Sequence, residues 1–305
     1  MRRLLPLLLL CGCAEAEPPA FVQWLPDHPV ISAHRGGAHL APENTIAAVV
    51  EAQNHDVEII EIDVQRSADG ELMVVHDHSV DRVTGEGGGC DTAQDTQTET
   101  FGSVLVHDLT VAELQAFDAG RCFLDLDGEA SYAGTGVVLP TLREMLTAFP
   151  SQRFLVESKD HEAEAATELL AVLTELDAFD RTCVLDFDDG FVATLAAQAP
   201  EGACIAQPSS GIRCWSTSGL FPFGGGGCPD YDLMWMPHEN SGLSLKQPSI
   251  VADIQAAGMP VFMWTLNDAA LLAEVLALGV DGVVTDRPDL ARALIGSPGV
   301  GASNR

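Results

Sequence analysis

Two histidines, one arginine and a pair of carboxylates lie close together near the start of the folded region. Histidine has an ordinary pKa of about 6.5, so two imidazoles can serve as acid and base near neutral pH. An arginine offers a rigid fork of donors to phosphate oxygens, and neighbouring carboxylates attract a divalent cation. The combination is typical of metal-assisted cleavage of a phosphate ester. The segments are His34-Arg35-Gly36, Glu61-x-Asp63 and His76-Asp77.

Paired carboxylates in a strand indicate a metal site. Side chains two residues apart point to the same face of a strand, so Glu61 and Asp63 share one space. By the same rule Glu157 and Lys159 share a face at the end of another strand. An alternative is that Glu61 and Asp63 are exposed positions on an amphipathic strand. Because Glu157 also lies in an apolar strand, we instead predict three carboxylate ligands, Glu61, Asp63 and Glu157, for Mg²⁺ or Ca²⁺.

The positions of the histidines suggest a shared site. His34 closes the first predicted strand, and His76 ends the returning arm of a hairpin beside the Glu61 strand. Residues 42–45 begin the first helix, with Asn44 or Thr45 as the N-cap. Glu43 therefore has two readings. It belongs to this helix start, or it hydrogen-bonds to Arg35 or to a histidine.

Short apolar runs alternate with helix-length patterns along the chain, which predicts a parallel sheet with crossover helices. Eight strands are the number that closes a TIM (β/α)8 barrel. Asp69-Gly70 is a hairpin turn, so the arm at 71–76 lies outside this count. We predict an insertion at about 78–139, with one helical piece at 110–117, and a long loop at about 207–229. The strands are predicted at 30–34, 58–64, 153–157, 183–187, 203–206, 232–236, 261–265 and 282–285. Helices are predicted at 162–176, 190–199, 250–257 and 268–278.

An ordered set of motifs between about residues 30 and 295 resembles the glycerophosphodiester phosphodiesterase family. One departure is Glu157-Ser158-Lys159, where the family usually has Glu-Ile-Lys. The motifs are His34-Arg35-Gly36, Pro42-Glu43-Asn44-Thr45, Glu61-Ile62-Asp63-Val64, Asp69-Gly70, Val75-His76-Asp77, Arg82-x-Thr84, Glu157-x-Lys159, Trp264-Thr265-x-Asn267 and Asp281-Gly282-x-x-Thr285-Asp286-x-Pro288.

The resemblance implies a TIM barrel that uses a divalent cation to hydrolyse glycerophosphodiesters to glycerol 3-phosphate and an alcohol. It also implies that His34 and His76 are the acid/base pair, with either histidine in either role. Arg35 and Lys159 would contact the phosphate and the metal site, and Trp264 would form a pocket wall. Glu61, Asp63 and Glu157 would hold the cation.

Two other functions remain as alternatives. A phospholipase D-like enzyme acting on intact lipids, such as a lysophospholipase D or sphingomyelinase D, shares the plan of two histidines and three carboxylates. It needs an apolar groove, which Phe221-Pro222-Phe223 in the long loop would supply. A non-catalytic surface binding protein would be expected to have lost a histidine or a metal carboxylate.

The charge of the chain argues against several partners. Its 15 basic and 45 acidic residues give a formal charge of -30, which disfavours nucleic acid and anionic membrane faces. An anionic substrate must therefore meet a local positive field. The small-molecule glycerophosphodiester substrate is what the family resemblance implies. The oligomeric state is left open.

The N-terminus is typical of an exported protein. A basic start, a short leucine-rich run and small residues predict a signal over 1–13, too short to span a bilayer. Residues 10–13 resemble a bacterial lipobox with Cys13 as the lipidated residue. The prediction is a lipoprotein of the periplasm, outer membrane or cell surface, and a secreted soluble protein is the alternative. Residues 14–29 would be a linker, 30–295 the barrel domain and 296–305 a tail.

Six further cysteines in an exported chain predict disulfides. Six cysteines permit fifteen pairings, and we favour local closures at the two places where cysteines bracket a loop or an insertion. These are Cys214 with Cys228 and Cys90 with Cys122. A zinc site is disfavoured because no Cys-x-x-Cys pair occurs. The candidates are Cys90, Cys122, Cys183, Cys204, Cys214 and Cys228.

Overall fold

A computed structural model describes residues 17–87, 90, 103–218, 228–229, 231–240 and 242–296. The predicted signal and lipidation site at Cys13 lie outside the described residues. So do all but the first residue of the predicted tail at 296–305 and the apolar run Phe221-Pro222-Phe223.

Eight parallel strands form one curled sheet, as the sequence predicts. The strands run in the order β6-β5-β4-β2-β1-β11-β10-β7. Ala206 and Leu233, just beyond the two edge strands, form a parallel bridge, and the backbone N–H of Gln207 donates to Leu233 O. The sheet is therefore TIM-barrel-like. Its strands are β1 (Val30–Ala33), β2 (Ile59–Arg66), β4 (Arg153–Ser158), β5 (Thr182–Leu185), β6 (Cys204–Ile205), β7 (Met234–Pro237), β10 (Val261–Trp264) and β11 (Gly282–Thr285).

In the described part of the chain, three further strands lie outside this parallel path. β3 (Leu72–Val74) pairs antiparallel with β2, with Val64 opposite Val74, so the Asp69-Gly70 turn closes a hairpin. β8 (Glu239–Asn240) and β9 (Leu243–Ser244) form a small hairpin after β7.

Each parallel strand is followed along the chain by at least one helix, and one short helix precedes β1. Side-chain caps explain where several of these helices begin. Thr45 caps the helix after β1 by accepting from the Ala48 N–H, and Thr141 begins a capping box with Glu144. Within the described ranges, none of the helices is long and apolar enough to cross a bilayer. They are α1 (Ala20–Gln23), α2 (Ile46–Gln53), α3 (Asp81–Thr84), α4 (Val111–Leu114), α5 (Leu142–Ala148), α6 (Ala163–Glu175), α7 (Asp189–Gln198), α8 (Ser209–Ser218), α9 (Pro248–Ala256), α10 (Ala269–Leu276) and α11 (Pro288–Ile295).

The predicted long loop at 207–229 is wrong for its first half, because residues 209–218 form α8. Ile212 and Trp215, three residues apart, are both buried on the inner side of this helix. A parallel sheet needs a crossover after each strand, and α8 supplies the one after β6.

The predicted linker at 14–29 is also corrected where it is described. Helix α1 packs at the amino-terminal end of the sheet, and the Phe21 side chain is fully buried. It belongs to the same apolar cluster as Val30, Leu155 and Phe262, residues of three different strands. A large aromatic side chain closes this end because burying it removes apolar surface from water.

The region of the predicted insertion has its own small apolar cluster. Met73 of β3 packs there with Val80, Val106 and Leu114. Thr110 starts α4 with a capping box, where the sequence predicts a helical piece.

Three disulfides join the six described cysteines in pairs. Cys90–Cys122 and Cys214–Cys228 are the local closures favoured above. The third, Cys183–Cys204, links facing residues of neighbouring strands β5 and β6 and is buried.

Candidate active site

The polar residues of interest gather at the carboxyl ends of the parallel strands. A cavity of about 720 Å³ opens there. TIM-barrel enzymes build their active sites at this end, from the loops that follow the strands. The cavity is lined by His34, Arg35, His76, Glu157, Lys159, His161, Phe187, Ser209, Ile212, Arg213, Trp235, Pro237, Glu239, Asn240, Trp264 and Thr265.

Glu61, Asp63 and Glu157 form a buried acidic trio, and Glu157 is one of the buried lining residues that make the floor of the cavity. One carboxylate oxygen from each lies within 4.8 Å of the others. All three side chains are buried, and no hydrogen-bond partner is found for Glu61 Oε1 in the described part of the chain. An orphaned oxygen in a cluster of buried carboxylates fits a hard divalent cation, which prefers oxygen ligands.

The charges of the trio are unequal without a cation. Burial and the neighbouring Asp63 raise the pKa of Glu61 from its ordinary 4.5 to about 8. The pKa of Asp63 is instead held well below its ordinary range, because His76, Lys159 and Arg35 outweigh the opposing effect of burial. A bound cation would favour the ionised form of Glu61 in the same way.

Asp63 is held in place by two neighbours. Asn44 Nδ2 donates to Asp63 Oδ2 at 2.9 Å, and the Asp63 backbone N–H donates to Asn44 Oδ1 at 3.2 Å. Lys159 Nζ lies 3.4 Å from Asp63 Oδ1 and also donates to Glu157. Asn44 adopts a left-handed φ of 58°, which asparagine tolerates better than most residues.

Each histidine is oriented by a carboxylate. His34 Nδ1 lies 2.6 Å from Asp286 Oδ1, and His76 Nδ1 lies 2.7 Å from Asp77 Oδ1. Asn267 Nδ2 donates to Asp286 Oδ2 at 2.5 Å. Burial opposes protonation of His34, but Asp286 outweighs burial, so the pKa of His34 is raised. Both rings thus use Nδ1 for a carboxylate, and Nε2 is the nitrogen suited to proton transfer.

Of the two roles predicted for Glu43, helix start or hydrogen bond to Arg35 or a histidine, the structure shows the hydrogen bond to Arg35. Arg82 donates to both of its carboxylate oxygens, at 2.6 and 2.7 Å, and Arg35 Nη1 donates to Oε1 at 3.2 Å. These two arginines hold the pKa of Glu43 well below its ordinary range, although burial opposes them. Arg82 Nε also donates to Asp77, at 2.7 Å. Glu43 therefore joins Arg35 to the residues that hold His76, and Thr45 is the helix cap.

Arg35 lines the cavity from a left-handed backbone conformation. Its φ is 52°, and its backbone N–H donates to Glu61 Oε2 at 2.8 Å. The next residue, Gly36, has a φ of 80°, and a Cβ there would lie 2.7 Å from the Ala48 side chain. Only glycine fits this close approach of the turn after β1 to α2.

The apolar wall of the cavity is aromatic. Trp264 packs edge-on against Phe187, with ring centroids 5.6 Å apart, and Trp235 lies among the lining residues. Trp264 is thus a lining residue of the cavity.

The structure brings together at this site all nine positions singled out from the sequence. The sequence analysis missed the residues that hold them, although each lies in a quoted motif. A polar residue at the end of an apolar strand, or directly after one, is the signal that could have found several of them. The missed residues are Asn44, Asp77, Arg82, Asn267 and Asp286.

A parallel α/β sheet with two carboxylate-held histidines above an acidic trio defines a class, the metal-assisted acid/base hydrolases of phosphate esters. The sequence model of the glycerophosphoryl diester phosphodiesterase family matches residues 34–189 and 232–290. These ranges include both histidines and the acidic trio. The chain belongs to this family.

Curated relatives agree over nearly their whole lengths. A glycerophosphodiester phosphodiesterase of Caldanaerobacter subterraneus is 26% identical over 273 residues, covering 85% of this chain and 95% of the relative. One of Bacillus subtilis is 26% identical over 279 residues, covering 87% and 86%.

Solved structures share the fold. The glycerophosphoryl diester phosphodiesterase domain of a Mycobacterium tuberculosis protein has a TM-score of 0.70 at 23% identity, covering 88% of this chain and 99% of that domain. A phosphodiesterase of Oleispira antarctica, solved with the product sn-glycerol-3-phosphate, has a TM-score of 0.67 at 24% identity. It covers 88% of this chain and 97% of that one.

Proposed function

We propose that this chain hydrolyses glycerophosphodiesters to sn-glycerol 3-phosphate and an alcohol with one divalent cation, Mg²⁺ or Ca²⁺. The observation that carries the proposal is the pair of carboxylate-held histidines, His34 and His76, which line the cavity together with Glu157 of the acidic trio. Family membership and the product bound to the Oleispira antarctica relative support the substrate class.

Proton transfer falls to the two histidines. One takes a proton from the nucleophile, which is a water molecule or the neighbouring glycerol hydroxyl, and the other gives a proton to the departing alcohol oxygen. Attack by water gives glycerol 3-phosphate directly. Attack by the hydroxyl gives a cyclic glycerol phosphate, which a water molecule then opens to glycerol 3-phosphate, with the two histidines in exchanged roles. Asp286 and Asp77 hold the rings by Nδ1, so the Nε2 atoms carry these protons. Either histidine fits either role.

Positive charge at the phosphate comes from Arg35 and Lys159, both buried at the floor of the cavity. Their guanidinium and ammonium groups would donate to the non-bridging oxygens, and Trp264 would bound the pocket. Glu61, Asp63 and Glu157 would hold the cation. When bound, it supplies charge that offsets the negative charge growing on the phosphate oxygens in the transition state.

The same proposal covers the architecture and the location of the protein. The curled sheet is a closed (β/α)8 barrel, with residues 78–139 as an insertion after the hairpin; the bridge between Ala206 and Leu233 supports closure. The mature chain is exported and anchored through a lipid on Cys13. Three disulfides among the described cysteines support an oxidising compartment.

Product analysis with two substrates tests the function. Purified enzyme is supplied with glycerophosphocholine or with lysophosphatidylcholine, and the released alcohol and phosphate ester are identified. We expect choline and glycerol 3-phosphate from glycerophosphocholine, at a kcat/KM well above that for the lysolipid. Preferred turnover of the lysolipid would instead establish the lysophospholipase D alternative. If neither substrate is turned over, the remaining alternative is the non-catalytic surface binding protein.

A further inference from the structure

One wall of the cavity is a helix face that carries a positive charge. Ser209, Ile212 and Arg213 of α8 line the cavity, and their spacing of three and four residues places them on one side of the helix. Ile212 is buried, whereas the Arg213 side chain is 64% exposed.

The helix is fixed to the neighbouring loop at several points. The Ser209 N–H donates to Phe187 O at 3.2 Å, and the Ser210 N–H donates to Asp189 Oδ1 at 3.1 Å. Arg213 Nη2 lies 3.5 Å from the other oxygen of Asp189. The next residue, Cys214, is tied to Cys228 by a disulfide. Arg213 is therefore presented from a braced element.

Arg213 occupies a different depth from the other cations of the cavity. The side chains of Arg35 and Lys159 are each 10% exposed and contact buried carboxylates at the floor. Arg213 is the exposed arginine of the lining, at the mouth. It also lies between residues 189 and 232, in the stretch that the family model does not match. It is thus outside the part of the chain that matches the family.

A glycerophosphodiester with its phosphorus at the floor can extend its variable alcohol toward the open mouth, beside Arg213. We propose that Arg213 binds a negative charge on this alcohol, so that the enzyme favours glycerophosphodiesters whose alcohol carries a carboxylate or a second phosphate. This inference rests on the proposed function.

Other charges at the mouth limit the size of the effect. Asp189 partly neutralises Arg213, and the exposed Glu239 of β8 lines the same cavity. Glu239 would repel the anionic group that Arg213 attracts. Neutralising Arg213 should therefore weaken the preference for an anionic alcohol, and neutralising Glu239 should strengthen it.

Matched substrate pairs isolate the charge of the alcohol. Glycerophosphoserine differs from glycerophosphoethanolamine by one carboxylate. Glycerophosphoglycerol with a terminal phosphate differs from glycerophosphoglycerol by one phosphate. The ratio of kcat/KM within each pair measures the preference for the added anion, and the two pairs distinguish carboxylate from phosphate.

In Arg213→Gln we expect the ratio to fall about two- to fivefold in at least one pair, the range typical of an exposed ion pair. Arg213→Lys should keep most of the preference, and Glu239→Gln should increase it. Arg121→Gln is the matched control, because Arg121 is 57% exposed, pairs with Glu86 and is not among the lining residues. It should leave both ratios unchanged.

An equal loss for both members of each pair in Arg213→Gln would overturn the proposal, because it would mean that Arg213 acts on the shared glycerophosphate or on structure. Unchanged ratios would overturn it as well. In both cases turnover by the wild-type enzyme would still uphold the proposed function. Absence of wild-type turnover on all four substrates would overturn the proposed function and this inference together.

Discussion

The carboxylate contacts of the two histidines fix the orientation of both imidazole rings, which acid/base catalysis requires. Asp286 and Asp77 each bind Nδ1 of one imidazole, and each is itself held, by Asn267 and by Arg82. A ring fixed in this way presents Nε2 in one direction. In the proposed mechanism, the direction of each Nε2 is thus set by residues that are not among those lining the cavity.

Removing either imidazole should strongly lower kcat and leave the fold intact. We expect His34→Ala and His76→Ala each to lower kcat by about 10²- to 10⁴-fold, because general acid/base catalysis contributes that much. Steady-state kinetics and circular dichroism measure the two effects. His107→Ala is the control, since His107 is 65% exposed and not among the lining residues, and its kcat should be unchanged. Undiminished turnover in either active-site variant would contradict the mechanism.

Glu61 gives the metal-free protein a distinctive pH dependence. Its pKa is about 8 in the folded state and near 4.5 when unfolded, so the folded state binds more protons between these values. This contribution to stability is complete below about pH 4.5 and is lost as the pH rises through about 8.

The chelated wild-type protein should therefore lose Tm between pH 5 and 8 relative to Glu61→Gln, which cannot ionise. Thermal unfolding in EDTA across this range measures the difference. If the difference in Tm between the two proteins stays constant from pH 5 to 8, the pKa of Glu61 is not raised in the folded state.

At the scale of elements, periodicity accounts for most of what the sequence could predict. The alternation in β2 places Glu61 and Asp63 on one face, and the Asp69-Gly70 turn returns the chain to His76 beside that strand. The strand endings bring Glu157 to the two carboxylates. Helix α8 was missed because the glycine-rich stretch after it dominates the pattern. The partners of Glu43 could not be derived, because Arg82 is 39 residues away and reaches it only through the hairpin and α3.

Helix α1 shows that a stretch without periodicity can still be essential to packing. Phe21→Ala should lower the free energy of unfolding by about 3–5 kcal/mol, as for other buried phenylalanines. Its kcat should be unaffected, because α1 lies at the opposite end of the sheet from the cavity. Urea denaturation gives the energy. Leu126→Ala, at a leucine that is 59% exposed, should change it by less than about 0.5 kcal/mol. A similarly small effect of Phe21→Ala would mean that α1 does not contribute to folding.

At the scale of the whole molecule, a formal charge of -30 surrounds a site built to attract a phosphate. Like charges repel one another across the folded chain, and salt screens this repulsion. We expect Tm to rise when NaCl is increased from about 10 mM to 500 mM, where the Debye length falls to a few Å. A Tm that falls over this range would show that ion pairs such as those of Glu43 outweigh the net repulsion.

The central claim is that this arrangement of acidic trio, histidines and basic residues requires a divalent cation for turnover. The most direct measurement is the turnover of glycerophosphocholine by metal-stripped enzyme, before and after Mg²⁺ or Ca²⁺ is added back. We predict no turnover in the stripped enzyme, recovery with at least one ion, and no recovery in Glu157→Gln at the same ion concentration. Full turnover by the stripped enzyme, or recovery in Glu157→Gln equal to that of the wild type, would contradict the central claim.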